Sequence, residues 1–426
     1  MILERMDFMH PGFLRVIGGA SYSGGRNPKV YFTSNWAEKH NCTKILSWAQ
    51  KHKCKVILGT WTPALMIKPQ NVINWARRVA VHVAYLRRQR GFTCIRFYNF
   101  INEPERMPIA RWTWLAMNLQ TAFSRFGLAG TVGIIGPDTY GDPGNSRRYN
   151  FPLLRQIAQH AAKAVGLYDI HWYAQDWEVY DGTIERTLKR EKRMVESIDP
   201  VAASKPFVVS ESGLIQGRCN GDQQPRVKTF NYGVMMADYA AQVFRAGWNG
   251  ISAWDMDDAM HFVAGQAVTH PPGKLTLKIW GFWNSQGAAM GNPSDFNLRP
   301  WFYTWSLMSR MFPAGTRIIK TLYPKGVTRF TALAGTHRIG DKLAISIVLV
   351  NNSGKSRNIV VRIAGDANAT TFSEYRYFRH DRPVNLQGFP VAAKIRHGLI
   401  PAEGMNIAMP GRGVVLLTTQ APFAVQ

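Results

Sequence analysis

The chain has 426 residues, 46% of them hydrophobic, which is enough for one large domain and a small one. Its formal net charge is +25, from 52 Lys and Arg against 27 Asp and Glu, so an anionic partner or surface is one expectation. No uninterrupted apolar run is long enough to cross a membrane, and Cys42, Cys54, Cys94 and Cys219 lack metal-ligand spacing.

Residues 1–12, "MILERMDFMHPG", read as the charged end of an amphipathic helix and not as a signal peptide. Strand candidates follow in order: "FLRVIGG" (13–19), "CKVILGT" (54–60), "CIRFYNFI" (94–101) and "TVGIIGP" (131–137). They continue with "LYDIHWY" (167–173), "PFVVSES" (206–212) and "GISAWDM" (250–256). Amphipathic helical patterns separate them at 43–52, 70–90, 107–127, 148–165, 181–197 and 227–247, with a last one at 299–312. Buried strands alternating with helices mean a parallel α/β architecture. The strand spacing and the lack of a Gly-rich phosphate loop favour a TIM barrel over a doubly wound sheet. Only seven strands are visible where such a barrel needs eight, so the first strand is expected to be missing.

From about Gly315 the texture changes to short alternating strands with Gly, Asn and Ser turns, ending in "GRGVVLLTT" (411–419). The expectation is a TIM-barrel domain over 1–314 and a small all-β sandwich over 315–426. Cys54 and Cys94 lie near the starts of two strands and read as buried thiols. The basic runs "RRVAVHVAYLRRQR" (77–90) and "IERTLKREKR" (184–193) read as solvated helix faces, because no aromatic-interleaved nucleic-acid motif accompanies them.

Two glutamates stand out. Glu103, in "FYNFINEPER" (97–106), follows one buried strand, and Glu211, in "FVVSES" (207–212), ends another. Strand C-termini line the mouth of a TIM barrel, so both side chains are placed to face one bond. A pair of carboxylates across a scissile bond is what glycoside hydrolysis needs. With a first strand counted, Asn102-Glu103-Pro104 follows strand four and Glu211 ends strand seven.

That arrangement resembles the clan A, or 4/7, glycoside hydrolases, especially those with a C-terminal β-sandwich such as families 5, 30 and 39. The resemblance covers nearly the whole chain. It implies a retaining β-glycoside hydrolase with Glu103 as acid/base and Glu211 as nucleophile. Asn102 matches the residue that binds the sugar 2-hydroxyl, and Arg15 matches the arginine that keeps the nucleophile charged. Trp254 matches the tryptophan that floors the sugar subsite.

His171 and Tyr173 share one face of their strand, and in the clan such residues contact the catalytic pair. Trp61 is a candidate wall of the subsite. The stretch "GPDTYGDPGN" (136–145) would bring Asp138 or Tyr140 to the cleft, and 258–298 would bring Trp280, Phe282 or Trp283. No metal or organic cofactor is expected. The substrate would be an oligo- or polysaccharide, with the +25 charge making an acidic glycan one candidate. The clan implies a secreted enzyme. The alternative is a catalytically inactive glycan-binding barrel.

Overall fold

The computed structural model describes residues 1–17, 36–60, 67–141, 151–215, 224–258, 278–324, 326–363, 371–397, 404–421 and 423, with 36–42 as backbone only. Seven strands form one parallel sheet in sequence order: β1 Phe13–Ile17, β2 Lys55–Gly59, β3 Ile95–Asn99, β4 Gly133–Tyr140, β5 Val165–Ala174, β6 Phe207–Leu214 and β7 Gly250–Ala253. Helices connect them: α2 Trp36–Lys51, α3 Val72–Arg88, α4 Ile109–Arg125, α5 Pro152–His160, α6 Asp176–Tyr180, α7 Thr183–Ile198 and α8 Phe230–Arg245. An opening helix, α1 Ile2–Met9, and a closing one, α9 Trp301–Met311, complete the ring.

The helices form where the sequence places apolar residues three and four apart. In α3, Val72, Trp75, Ala76, Val79, Val83 and Leu86 are buried, while Arg77, Arg78 and Arg88 look outward. The basic run at 77–90 is therefore largely a solvated face. Inside the barrel, Ile57, Ile135, Leu167 and Val208, with Phe13 and Phe97 packed on them, form an apolar floor.

The barrel is nearly closed. β1 and β7 are the edges of the sheet, and among the described residues no ladder joins them. They meet through a side chain: a Cβ on Gly250 would sit 2.7 Å from the Phe13 ring, so glycine is required there. Beside this contact lies a cavity of about 470 Å³, lined by Gly12–Leu14 of the β1 edge, Gly250–Ala253 of β7, and Ala240, Trp305 and Phe312 from the flanking helices. On the outside α1 packs on α9, where Arg310 Nη1 donates to the Phe8 carbonyl at 2.7 Å.

The parallel elements run to Met311, and antiparallel ones begin at Arg317. A six-stranded sheet is built from β8 Arg317–Ile319, β9 Phe330–Ile339, β10 Lys342–Asn351, β12 Thr371–Tyr377, β13 Lys394–His397 and β15 Gly413–Thr418. One face (Leu333, Val348, Val350, Tyr375, Leu416) packs on α8 and α9. The other (Ala332, Ile347, Leu349, Val415) packs on a two-stranded antiparallel sheet of β11 Arg357–Val361 and β14 Met405–Met409. Asp238 of α8 pins the two parts together, accepting from Thr331 at 2.7 Å and from Asn352 at 3.0 Å. Cys54 and Cys94 are buried free thiols, and burial pushes both up, to about 12 and about 11.

Candidate active site

Above the apolar floor the inward phase of each strand turns polar. β1 supplies Arg15, β3 Asn99, β4 Asp138, β5 the series Asp169, His171 and Tyr173, and β6 Glu211. On β5 these residues are two apart, so they stack on one face from floor to mouth.

Arg15 is the hub. Its side chain is 2% exposed and forms an ion pair with Glu211. Its other terminal nitrogen lies 2.9 Å from both Asp138 oxygens and 2.8 Å from Asn102 Oδ1. That last bond fixes the Asn102 amide, leaving its NH2 group available to a ligand. Tyr173 donates its hydroxyl to Glu211 Oε2 at 2.8 Å, so both oxygens of this carboxylate are oriented.

His171, fully buried, bridges the glutamates. Nδ1 lies 3.0 Å from Glu103 Oε1 and 3.6 Å from Glu211 Oε2, while Nε2 lies 3.1 Å from Asp138 Oδ1. One oxygen of Glu103, one of Glu211 and His171 Nδ1 all fall within 4.8 Å of one another. Glu103 keeps 35% of its side chain exposed, whereas Glu211 keeps 5%. The first is open to the cleft and the second sits at its base.

The charges settle each other. Burial alone would depress His171, but Glu211 and Asp138 outweigh it and hold the imidazole well above its usual range. Burial would raise Asp138, but Arg15 and then His171 hold it below the usual carboxylate range. Asp169 goes the other way: burial and the neighbouring Asp138 charge push it well up. Burial and Glu211 likewise raise the Tyr173 phenol.

Glu103–His171–Glu211 and Asp138–Asp169–His171 are each compact enough to share an ion. In both sets, however, the His171 nitrogens already face carboxylates, and Arg15 already binds both Asp138 oxygens. These are the features of a self-paired cluster, not of an open cation site.

The loop carrying Glu103 is held against β4. Glu103 adopts a left-handed backbone (φ 46°) and donates its N–H to the Asp138 carbonyl at 3.0 Å. Glu105 accepts from the Thr139 hydroxyl and the Tyr140 N–H, both at 2.8 Å. Together these bonds tie the Asn-Glu-Pro turn to the neighbouring strand end.

Most of the residues singled out in the sequence meet here: Arg15, Asn102, Glu103, Asp138, His171, Tyr173 and Glu211. Asp138 sits differently from expectation. It belongs to β4 itself and not to a loop after it, and with 1% exposure its oxygens are taken up by Arg15, Asn99 and His171. It therefore supports the site from beneath instead of facing the cleft. Trp254 follows β7 directly and is half-buried, its backbone N–H donating to the Ser212 carbonyl at 2.9 Å.

Trp283 is a correction. It is 0% exposed, packed against Phe282 and Phe302 with the Arg5 guanidinium over its ring, and so presents no face to a sugar. Phe282 is core as well. From the same segment Trp280 comes nearest the site, edge-on to Tyr173 with ring centres 5.1 Å apart. Trp61 and residues 259–277 of the 258–298 stretch lie outside the described residues.

In fold, the chain matches solved glycoside hydrolases that pair a barrel with a β-domain. It superposes on the family 30 endoxylanase from Clostridium papyrosolvens C71 with a TM-score of 0.63 at 11% identity, covering 99% of this chain and 93% of that one. The α-L-arabinofuranosidase from Thermotoga maritima gives 0.62 at 12% identity, covering 98% and 89%. A family 30 xylanase from Clostridium acetobutylicum gives 0.59 at 14%, covering 98% and 92%. The chain matches no family model and no curated protein sequence.

Proposed function

We propose that the chain is a retaining β-glycoside hydrolase, with Glu103 as general acid/base and Glu211 as nucleophile. The observation that carries this reading is the carboxylate spacing, with oxygens of the two residues within 4.8 Å. Retaining enzymes set their carboxyl groups about 5–5.5 Å apart, whereas inverting ones need about 6.5–9.5 Å to admit a water. The fold shared with a xylanase and an arabinofuranosidase supports a carbohydrate substrate.

Glu103 gives its proton to the leaving oxygen while Glu211 attacks the anomeric carbon, forming a glycosyl-enzyme ester. Glu103, now a carboxylate, takes a proton from water as that water displaces Glu211. Arg15 and the Tyr173 hydroxyl hold the attacking carboxylate in one plane, and the Asn102 NH2 is placed to meet the sugar. Trp254 offers an apolar wall. The substrate is an oligo- or polysaccharide, the +25 charge favouring an acidic one, and the site of action is extracellular.

A second reading, a glycan-binding barrel without turnover, is favoured by the unladdered seam between β1 and β7. Activated aryl β-glycosides, neutral and uronic, separate the two readings when run on wild type and on Glu211→Ala with added azide. Turnover lost in the variant and restored as an inverted glycosyl azide supports the nucleophile. Tight glycan binding by a folded chain with no turnover on any substrate supports the binding protein instead.

A further inference from the structure

Two strands of the barrel carry an extra residue beside the site, and one buried carboxylate touches both. In the β4–β5 ladder Pro137 pairs with Asp169 and Thr139 with Ile170, so Asp138 is bulged out. In the β5–β6 ladder Val209 pairs with Ile170 and Glu211 with His171, so Ser210 is bulged out. Bulges next to active sites re-aim side chains. Here they aim Asp138 at Arg15 and His171, and Glu211 at Arg15 and Tyr173.

Asp169 lies on β5 between the two bulges, with no exposed surface. Its Oδ1 accepts the Asp138 N–H at 2.9 Å, and its Oδ2 accepts the Ser210 hydroxyl at 2.6 Å. Asp138 is held in a left-handed conformation (φ 58°), which aspartate adopts more readily than most residues but which remains uncommon outside glycine. Its carbonyl in turn receives the Glu103 N–H. One side of Asp169 thus leads through Asp138 to Glu103, and the other through Ser210 to the adjacent Glu211.

We infer that Asp169 is a positioning residue that sets the separation of Glu103 and Glu211 by clamping the two bulges. The inference rests on the retaining-hydrolase reading of those glutamates. Asp169 reaches neither substrate nor reacting atoms; it acts through Asp138 and Ser210.

The test compares Asp169→Leu with Asp169→Asn in the whole chain. Asparagine keeps an acceptor for the Asp138 N–H and can turn its NH2 toward the Ser210 oxygen, which accepts as well as donates. Leucine has the size and neither bond. With an activated aryl β-glycoside, Asp169→Leu should lower kcat by about 100-fold with KM within about threefold, as expected for reacting groups misplaced by about 1 Å. Asp169→Asn should stay within about tenfold of wild type, and Ser210→Ala, which cuts only the β6 arm, should fall between.

A second readout needs no turnover. The His171 ring faces Glu103, Asp138 and Glu211, lies near Arg15, and shares its strand face with Asp169 and Tyr173. Its titration by 15N NMR should move by about one unit in Asp169→Leu and far less in Asp169→Asn.

A folded Asp169→Leu with wild-type kcat and wild-type His171 titration overturns the proposal. So does an Asp169→Asn as damaged as the leucine variant. If Asp169→Leu does not fold, Ser210→Ala decides: unchanged kcat and an unchanged titration there also overturn it. A wild-type chain that turns over nothing, while the His171 titration still shifts as expected, sinks the hydrolase reading and leaves the clamp standing.

Discussion

The arc from β3 to β6 and the seam between β7 and β1 solve the same structural problem differently. On the arc, every strand is laddered to both neighbours, and the polar cluster grows from bulges that those ladders can absorb. At the seam the edges touch through Phe13 on Gly250 and leave a cavity of about 470 Å³. Continuous pairing on the arc holds the left-handed Asp138 in place. Yet the hub of the site, Arg15, comes from the edge strand β1. Its bonds to Asp138 and Glu211 are the polar links that carry β1 across the barrel, so the site also helps to hold the barrel shut.

The sharpest way to break this comparison is Arg15→Met. Removing one member of a buried ion cluster leaves its carboxylates uncompensated, which costs about 3–5 kcal/mol. Urea unfolding should show a loss of that size together with abolished turnover. A variant with an unchanged midpoint would mean that the seam closes without the arginine.

A paired small-to-large substitution sharpens it further. Ala240→Leu, lining the seam cavity, should stabilise the chain by about 1 kcal/mol as new apolar contact replaces void. Ala116→Leu, fully buried on α4 behind the arc, should instead cost about 1–3 kcal/mol. Thermal midpoints of both variants with the same sign of change would show the two sides to be packed alike.

The smallest effect concerns pH. The folded-state pKa of His171 lies above the ordinary imidazole value of about 6.5, so its charged form stabilises the fold fully below that value. The contribution fades as pH rises through the higher folded value. Urea midpoints at about pH 6 and about pH 9 should therefore converge between wild type and His171→Gln at the higher pH. An undiminished difference at the alkaline end would contradict the charged imidazole.

Much of this was legible in the sequence because strand ends are where a barrel shows its chemistry. Apolar runs located all seven parallel strands, their C-terminal ends gave Glu103 and Glu211, alternation along one strand gave His171 and Tyr173, and the family resemblance gave Arg15 and Asn102. The supporting tier was harder to see. Asp169 and Ser210 lie within strands, and the bulges at Asp138 and Ser210 break the two-residue alternation that sequence reading depends on. One signal was available: stepping back two residues from His171 on its own face reaches Asp169.

Trp283 misled because an aromatic cluster in a long connection looks the same whether it stacks on a ligand or packs in the core. The short helix α6 escaped notice because five residues are too few to show a period. It is set instead by a capping box between Gln175 and Glu178.

The seam also bears on how the molecule responds to compression. Pressure favours whichever state leaves less empty volume, and unfolding shrinks a protein by about 20–100 mL/mol in proportion to the voids it eliminates. The cavity of about 470 Å³ beside the two sheet edges is a place where packing is incomplete. Under hydrostatic load, water would enter first between β1 and β7, parting the barrel at the strand that supplies its arginine while the arc with its bulges stays assembled.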